Sequence, residues 1–289
     1  MIFNNFKKIE TNFFEEIYNN YNKKEFIHTD PIQFPLKFKD KKDIEIAAII
    51  SSSLAYGRVD QIIKSLNYIF SIINSPIDYI KNSNKKKFLN DFKNFKYRFT
   101  KGKEIANLLI NIKNVYENHK FIEDLFLKHI EKKESNIYPA LIRFIKTFIK
   151  KPIPTLIPSP NKNSAFKRFN MFLRWVVRKD EIDIGIWKKI SPSILIIPLD
   201  THIHKISLKL KITQRKDTSI KTAIEITNFF KKINPSDPLK YDFALTRVPI
   251  LKNFKYNLYL KEVGYEINKG NKNRKKSFDS ICWRVSSKK

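Results

Sequence analysis

Apolar residues recur at three- and four-residue intervals along most of the chain, the spacing of amphipathic helices. Phe6, Ile9, Phe13, Ile17 and Tyr21 share one such face. The stretch from about 42 to 55 is apolar on nearly all sides and predicts a central helix, broken at Gly57. A second helix follows through Ile62, Leu66, Ile69 and Ile73. "SPIDYIKN" starts another, with Ser75 as cap and Pro76 at its first position. Further helices are predicted over 103–118, 121–130, 136–149, 165–178, 200–211, 217–232 and 238–246. The proline-punctuated stretches "HTDPIQFPLKFKD" and "KPIPTLIPSPNKNSAF" read as irregular. No stretch shows strand alternation between turn signals. The expected fold is all-α, with a domain over 1–251 and a basic C-terminal extension over 252–289.

Composition adds a core and a field. The 289 residues are 42% hydrophobic and 13% aromatic, enough to bury a sizeable interior. Lys and Arg number 57 against 28 Asp and Glu, a formal charge of +29. Such a field attracts polyanions. Part of the excess matches the Lys-, Asn- and Ile-rich composition of the whole chain, which an AT-biased genome produces without function. The single cysteine, Cys282, excludes an intramolecular disulfide and a four-cysteine metal or iron–sulfur site. No cofactor and no metal are expected. No apolar run reaches the roughly 18–20 residues of a spanning helix, and "MIFNNFKKIETNFFEEIYNN" lacks a signal-peptide core. These features lead us to expect a soluble, cytoplasmic monomer, nucleoid-associated if it binds DNA, with no membrane partner.

Three constellations carry candidate chemistry. In "SPNKNSAFKRFNMFLRWVVRKD", Phe169, Phe172, Leu173, Val176 and Val177 form a stripe, and Lys167, Arg174 and Arg178 fall on the opposite side of the wheel. That side reads as a solvated basic face or as one turned to phosphates. In "IIPLDTHIHKISLKLKI", Asp200 precedes a helix and fits an N-cap, worth about 1 kcal/mol. The cap is the favoured reading of these residues alone; the other is a carboxylate that stabilises positive charge on a sugar. His202 and His204 are two apart and diverge on a helix, which argues against a metal. In "NPSDPLKYDFALTRVPIL", Asp237 caps, Pro238 takes the first turn, and Asp242 and Arg247 read as a surface pair.

"PLDTHIHKISLKLKI" resembles the aspartate-bearing segment of the helix-hairpin-helix DNA glycosylase superfamily, which includes endonuclease III and the archaeal 8-oxoguanine glycosylases. "FKRFNMFLRWVV" is similar to the segment after that superfamily's hairpin. The register implies Lys167 as catalytic lysine and Asp200 as catalytic aspartate. The chain over about 30–250 also resembles a bacterial family related to the superfamily and without an assigned activity. The superfamily hairpin is Leu-Pro-Gly-x-Gly, whereas "IPSPNKNSAFK" has no glycine. Asn161 and Asn163 tolerate the left-handed conformation a phosphate-binding hairpin needs.

The resemblance implies a two-lobed helical fold with a cleft, and base excision from damaged duplex DNA with abasic-site lyase activity. Lys167 would attack the sugar as nucleophile and Asp200 would assist. Arg58, Asn161, Lys162, Asn163, Arg168, Arg174, Arg178 and His202 would contact nucleic acid. Ser53, Tyr56 and Trp175 would form the wedge or base pocket, with Phe169 a further candidate. The alternative is a non-catalytic DNA- or RNA-binding protein that keeps the fold.

Overall fold

A helix of twenty residues, α1 (Ile2–Tyr21), opens the described part of the chain. The computed structural model describes residues 2–160 and 164–247, with side chains from residue 11 onward. Asn161, Lys162, Asn163 and the expected extension over 252–289 therefore lie outside the described residues. The helices that follow are α2 (Lys41–Ser53), α3 (Val59–Ile72), α4 (Pro76–Asn82) and α5 (Lys85–Asp91). A two-stranded hairpin, β1 (Lys96–Tyr97) and β2 (Thr100–Lys101), leads into α6 (Gly102–Asn118) and α7 (Ile122–Leu127). Then come α8 (Tyr138–Phe148), α9 (Lys167–Val177), α10 (Thr201–Lys209), α11 (Ile220–Ile233) and α12 (Asp242–Arg247). The described chain is predominantly helical, as the periodicity predicts.

Two local expectations are corrected. A hairpin exists where no strand was expected, because two residues per strand are too few to show alternation. The helix expected over 238–246 starts only at Asp242. The Asp237 carboxylate does not cap it, and instead binds Arg178 at 2.8 and 2.9 Å.

The centre is α2, buried from Ile44 through Ser53 and packed on α9. Asp40 starts it by accepting from the Lys42 and Asp43 amides at 2.8 and 3.3 Å. Its buried stretch carries one carboxylate, Glu45. Burial pushes the Glu45 carboxyl up. Four donors offset that cost: Tyr116 hydroxyl at 2.8 Å, the Ile122 and Glu123 amides at 2.9 and 3.1 Å, and Trp187 Nε1 at 2.6 Å. Glu45 thereby ties α2 to α6, to the start of α7 and to the chain after α9.

Gly102 joins the hairpin to α6. A Cβ there would sit 1.7 Å from the Phe92 carbonyl oxygen, while its amide donates to Phe95 O at 2.9 Å. The clash is with backbone, so a side chain cannot rotate away from it. Gly102→Ala is expected to destabilise the protein by about 1–3 kcal/mol or more, read as a lower denaturant midpoint with an unchanged slope.

Candidate active site

A cavity of about 590 Å³ is walled by the first turn of α9, the first turn of α10, the α2–α3 turn, Asp30 and α12. That volume lies in the range of small-molecule sites, ~300–1,000 Å³. Lys167 and Asp200, 33 positions apart in sequence, both line it. Lys167 is the first residue of α9, set there by Phe166 in the left-handed region at φ 45°. Its Nζ donates to the Ala55 carbonyl at 3.2 Å. Asp200 caps α10 as its position predicts, and Oδ1 takes both capping bonds, from His202 N at 2.9 Å and Ile203 N at 2.8 Å. Oδ2 accepts no hydrogen bond among the described residues.

Burial pushes the Lys167 ammonium below the ordinary lysine value. The carboxylates of Asp200, Asp30 and Asp242 pull it back up, and Arg168 pushes it further down. The positive ends of α9 and α10 both open on the same space, which also disfavours the ammonium form. A lysine in these surroundings carries more neutral amine near pH 8 than a free one.

Of the other expected site residues, several do gather here. Ser53, Tyr56, Arg168, His202 and Phe169 line the cavity. Arg168 is held in place: Nη1 donates to Ser53 O and to Thr155 O, each at 2.7 Å, and its guanidinium lies 4.8 Å from the Tyr56 ring centre. Tyr56 is itself anchored, its hydroxyl 2.8 Å from Thr100 Oγ1. Arg58 stands outside the cavity, exposed and paired with Asp60 at 3.2 Å.

Three expectations are overturned. Arg174 and Arg178 do not form a basic face. Arg174 binds Asp183 at 3.2 Å and also Asp242, while Arg178 binds Asp180, Asp183 and Asp237. Both are buried, so neither guanidinium is free for a phosphate. The wheel misleads because the chain after α9 folds back over its polar side: Gly185 N and Trp187 N bond to Trp175 O and Val176 O at 3.0 and 2.7 Å. Trp175 is fully buried in the core and does not line the cavity, so it cannot stack on a ligand there. Asp242 and Arg247 are not a surface pair; Asp242 takes Arg174 and Arg247 takes Asp30, all buried.

Sequence reasoning missed Asp30, which both lines the cavity and caps its own segment through Ile32 N at 3.0 Å. Its partner Arg247 is 217 positions away, beyond any local pattern. The "TDP" at 29–31 was the available sign of a capping aspartate. Among the described residues no group of three or more His, Cys, Asp or Glu could hold a metal ion. No helix among them is long and apolar enough to cross a membrane.

A model of the family described as "Protein of unknown function (DUF2400)" matches residues 30–251. The chain belongs to the DUF2400 family. The matched span holds Asp30, Lys167, Asp200, Asp242 and Arg247. No curated protein and no solved structure matches the chain.

Proposed function

We propose that the protein is a DNA base-excision glycosylase with abasic-site lyase activity, built on a two-lobed fold like that of the helix-hairpin-helix glycosylases. The observation that carries this reading is the meeting of Lys167 and Asp200 in one cavity at the starts of two helices. The neutral Lys167 amine attacks C1′ of an extruded nucleotide. The C1′–N bond breaks and the base leaves with the electron pair, taking up a proton. Sugar-ring opening then leaves a Schiff base on Nζ. Positive charge grows on the sugar during departure, and Asp200 stabilises it through Oδ2 while Oδ1 keeps the helix capped. His202 and Arg168 lie at the same walls, where the flanking phosphates of an extruded nucleotide would pass.

Borohydride trapping tests the reading. Wild type incubated with a duplex bearing 8-oxoguanine or an abasic site, then reduced, is expected to yield a covalent protein–DNA adduct. Salt-sensitive binding with no adduct on either duplex overturns the enzyme and leaves a non-catalytic binding protein. Asp200→Asn is expected to lower excision by about 10²–10⁴-fold, the scale of a lost catalytic group. Asn caps helices as well as Asp does, so the unfolding midpoint should hold. A collapse in stability instead would assign Asp200 to architecture alone.

A further inference from the structure

A second groove, about 540 Å³, runs along α3 and the β1–β2 hairpin. It shares the α2–α3 turn with the main cavity: Tyr56 and Gly57 line the cavity, and Arg58 lines the groove. Its cations are Arg58, Lys64, Lys96 and Arg98. Lys64, Lys96 and Arg98 are exposed and make no ion pair among the described residues. Four large hydrophobic side chains are exposed among the described residues. Tyr68 lines this groove, and Phe99, at 73% exposure, follows Arg98 in the hairpin that lines it. Cations and bare ring faces thus share one patch.

The hairpin that presents Phe99 is held rigidly. Its two-residue turn is Arg98–Phe99, and Arg98 sits at φ 49° where glycine or asparagine is usual. Thr100 Oγ1 is 2.6 Å from Thr155 Oγ1 and 2.8 Å from Tyr56 hydroxyl, and Tyr97 hydroxyl donates to Tyr56 O. The Arg98 guanidinium lies 5.8 Å from the Tyr56 ring centre and 5.7 Å from that of Phe99. Gly57 makes this docking fit: at φ 93°, a Cβ there would meet Arg98 Nη1 at 2.6 Å and Tyr97 hydroxyl at 2.8 Å. A strained turn bolted to the cavity wall holds a phenyl ring in water beside uncompensated positive charge.

We propose that this groove is a second nucleic-acid site, taking a single-stranded DNA segment whose phosphates lie along Lys64, Lys96 and Arg98 and whose bases stack on Phe99 and Tyr68. A duplex offers base edges, and its base faces are already stacked. Unpaired bases offer free faces to aromatic side chains, and stacking of this kind tolerates any sequence. Through the shared turn, a strand in the groove leads to the mouth of the cavity. The inference rests on the repair reading only in its choice of DNA as the polyanion.

Fluorescence anisotropy of the full chain with a labelled single-stranded oligodeoxynucleotide tests it. Charge alone attracts DNA to a protein of +29, so the double variant Lys64→Glu/Lys96→Glu is compared with Lys132→Glu/Lys133→Glu. The second pair makes the same charge change at exposed sites outside the groove. The groove pair is expected to weaken binding at least tenfold and flatten the log–log salt slope by about 1.4, two phosphates at ~0.7 each. Phe99→Ser, which removes an exposed ring, is expected to weaken it by about 5- to 150-fold. Equal losses from the two charge pairs, or no loss with Phe99→Ser, overturn the proposal, as does tighter groove-dependent binding of RNA than of DNA. The two readings fail separately. Absent trapping with intact groove dependence removes the glycosylase alone, and intact trapping without groove dependence removes the strand site alone.

Discussion

Replacing Lys167 by alanine is expected to abolish the borohydride-trapped adduct, a loss of about 10²-fold or more. No other cavity side chain supplies a primary amine: the remaining basic groups there are guanidiniums and an imidazole, and neither forms a Schiff base at a sugar carbon. Lys167→Arg should fail equally, although it keeps the charge, because arginine stays protonated above pH 12. The folded state is expected to tolerate the alanine change, since among the described residues the one side-chain hydrogen bond lost is that from Nζ to Ala55 O. Adduct yield in wild type should rise with pH to a midpoint below the ordinary lysine value of about 10.4. The sign follows from burial, which lowers the Lys167 pKa and so puts the reactive neutral form within reach at lower pH. An undiminished adduct in Lys167→Ala, or a midpoint at or above the free-lysine value, removes Lys167 from the chemistry.

Arg174→Met is expected to be the most damaging change to stability. It leaves the buried Asp242 carboxylate without its arginine and takes one of two guanidiniums from the fully buried Asp183. Burial raises the Asp242 carboxyl, and Arg174 is the main opposing charge. Removing one member of a buried ion pair costs about 3–5 kcal/mol, which lowers Tm on the order of 10 °C in a domain of this size. Arg58→Ala provides the contrast. Its pair with Asp60 is exposed on both sides, and such pairs contribute little to stability. Similar melting temperatures for the two variants would show that the Arg174 network is structurally dispensable. The same network matters to the site, because Asp242 and Arg174 both border the cavity that holds Lys167.

The contrast between α9 and α10 shows how far the sequence could be read. Asp200 was legible because a cap needs only the residues two and three positions on, and the structure has those two bonds. The helix over 165–178 was legible in extent, since α9 spans Lys167–Val177. Its exposure was not. A helical wheel shows which residues share a side and nothing about what packs on that side. Arg174 and Arg178 therefore read as solvent-facing until the returning chain and the carboxylates of Asp180, Asp183, Asp237 and Asp242 enclosed them. Asp242 and Arg247 erred in the same way: five positions apart, they looked like partners, yet each pairs with a residue far away in sequence.

What the sequence determined by itself is the run of helices, their breaks at Gly57 and the prolines, and the Asp200 cap that starts α10. These depend on contacts within about four residues, so 3.6-residue periodicity and turn chemistry suffice to specify them. Only the tertiary structure decided which charges are buried and paired, which aromatic rings are core and which stand in water, and that Lys167, Asp200 and Asp30 border one cavity. Burial is set by whatever packs from elsewhere in the chain, and the free energy of a charge depends on that surround far more than on its neighbours in sequence.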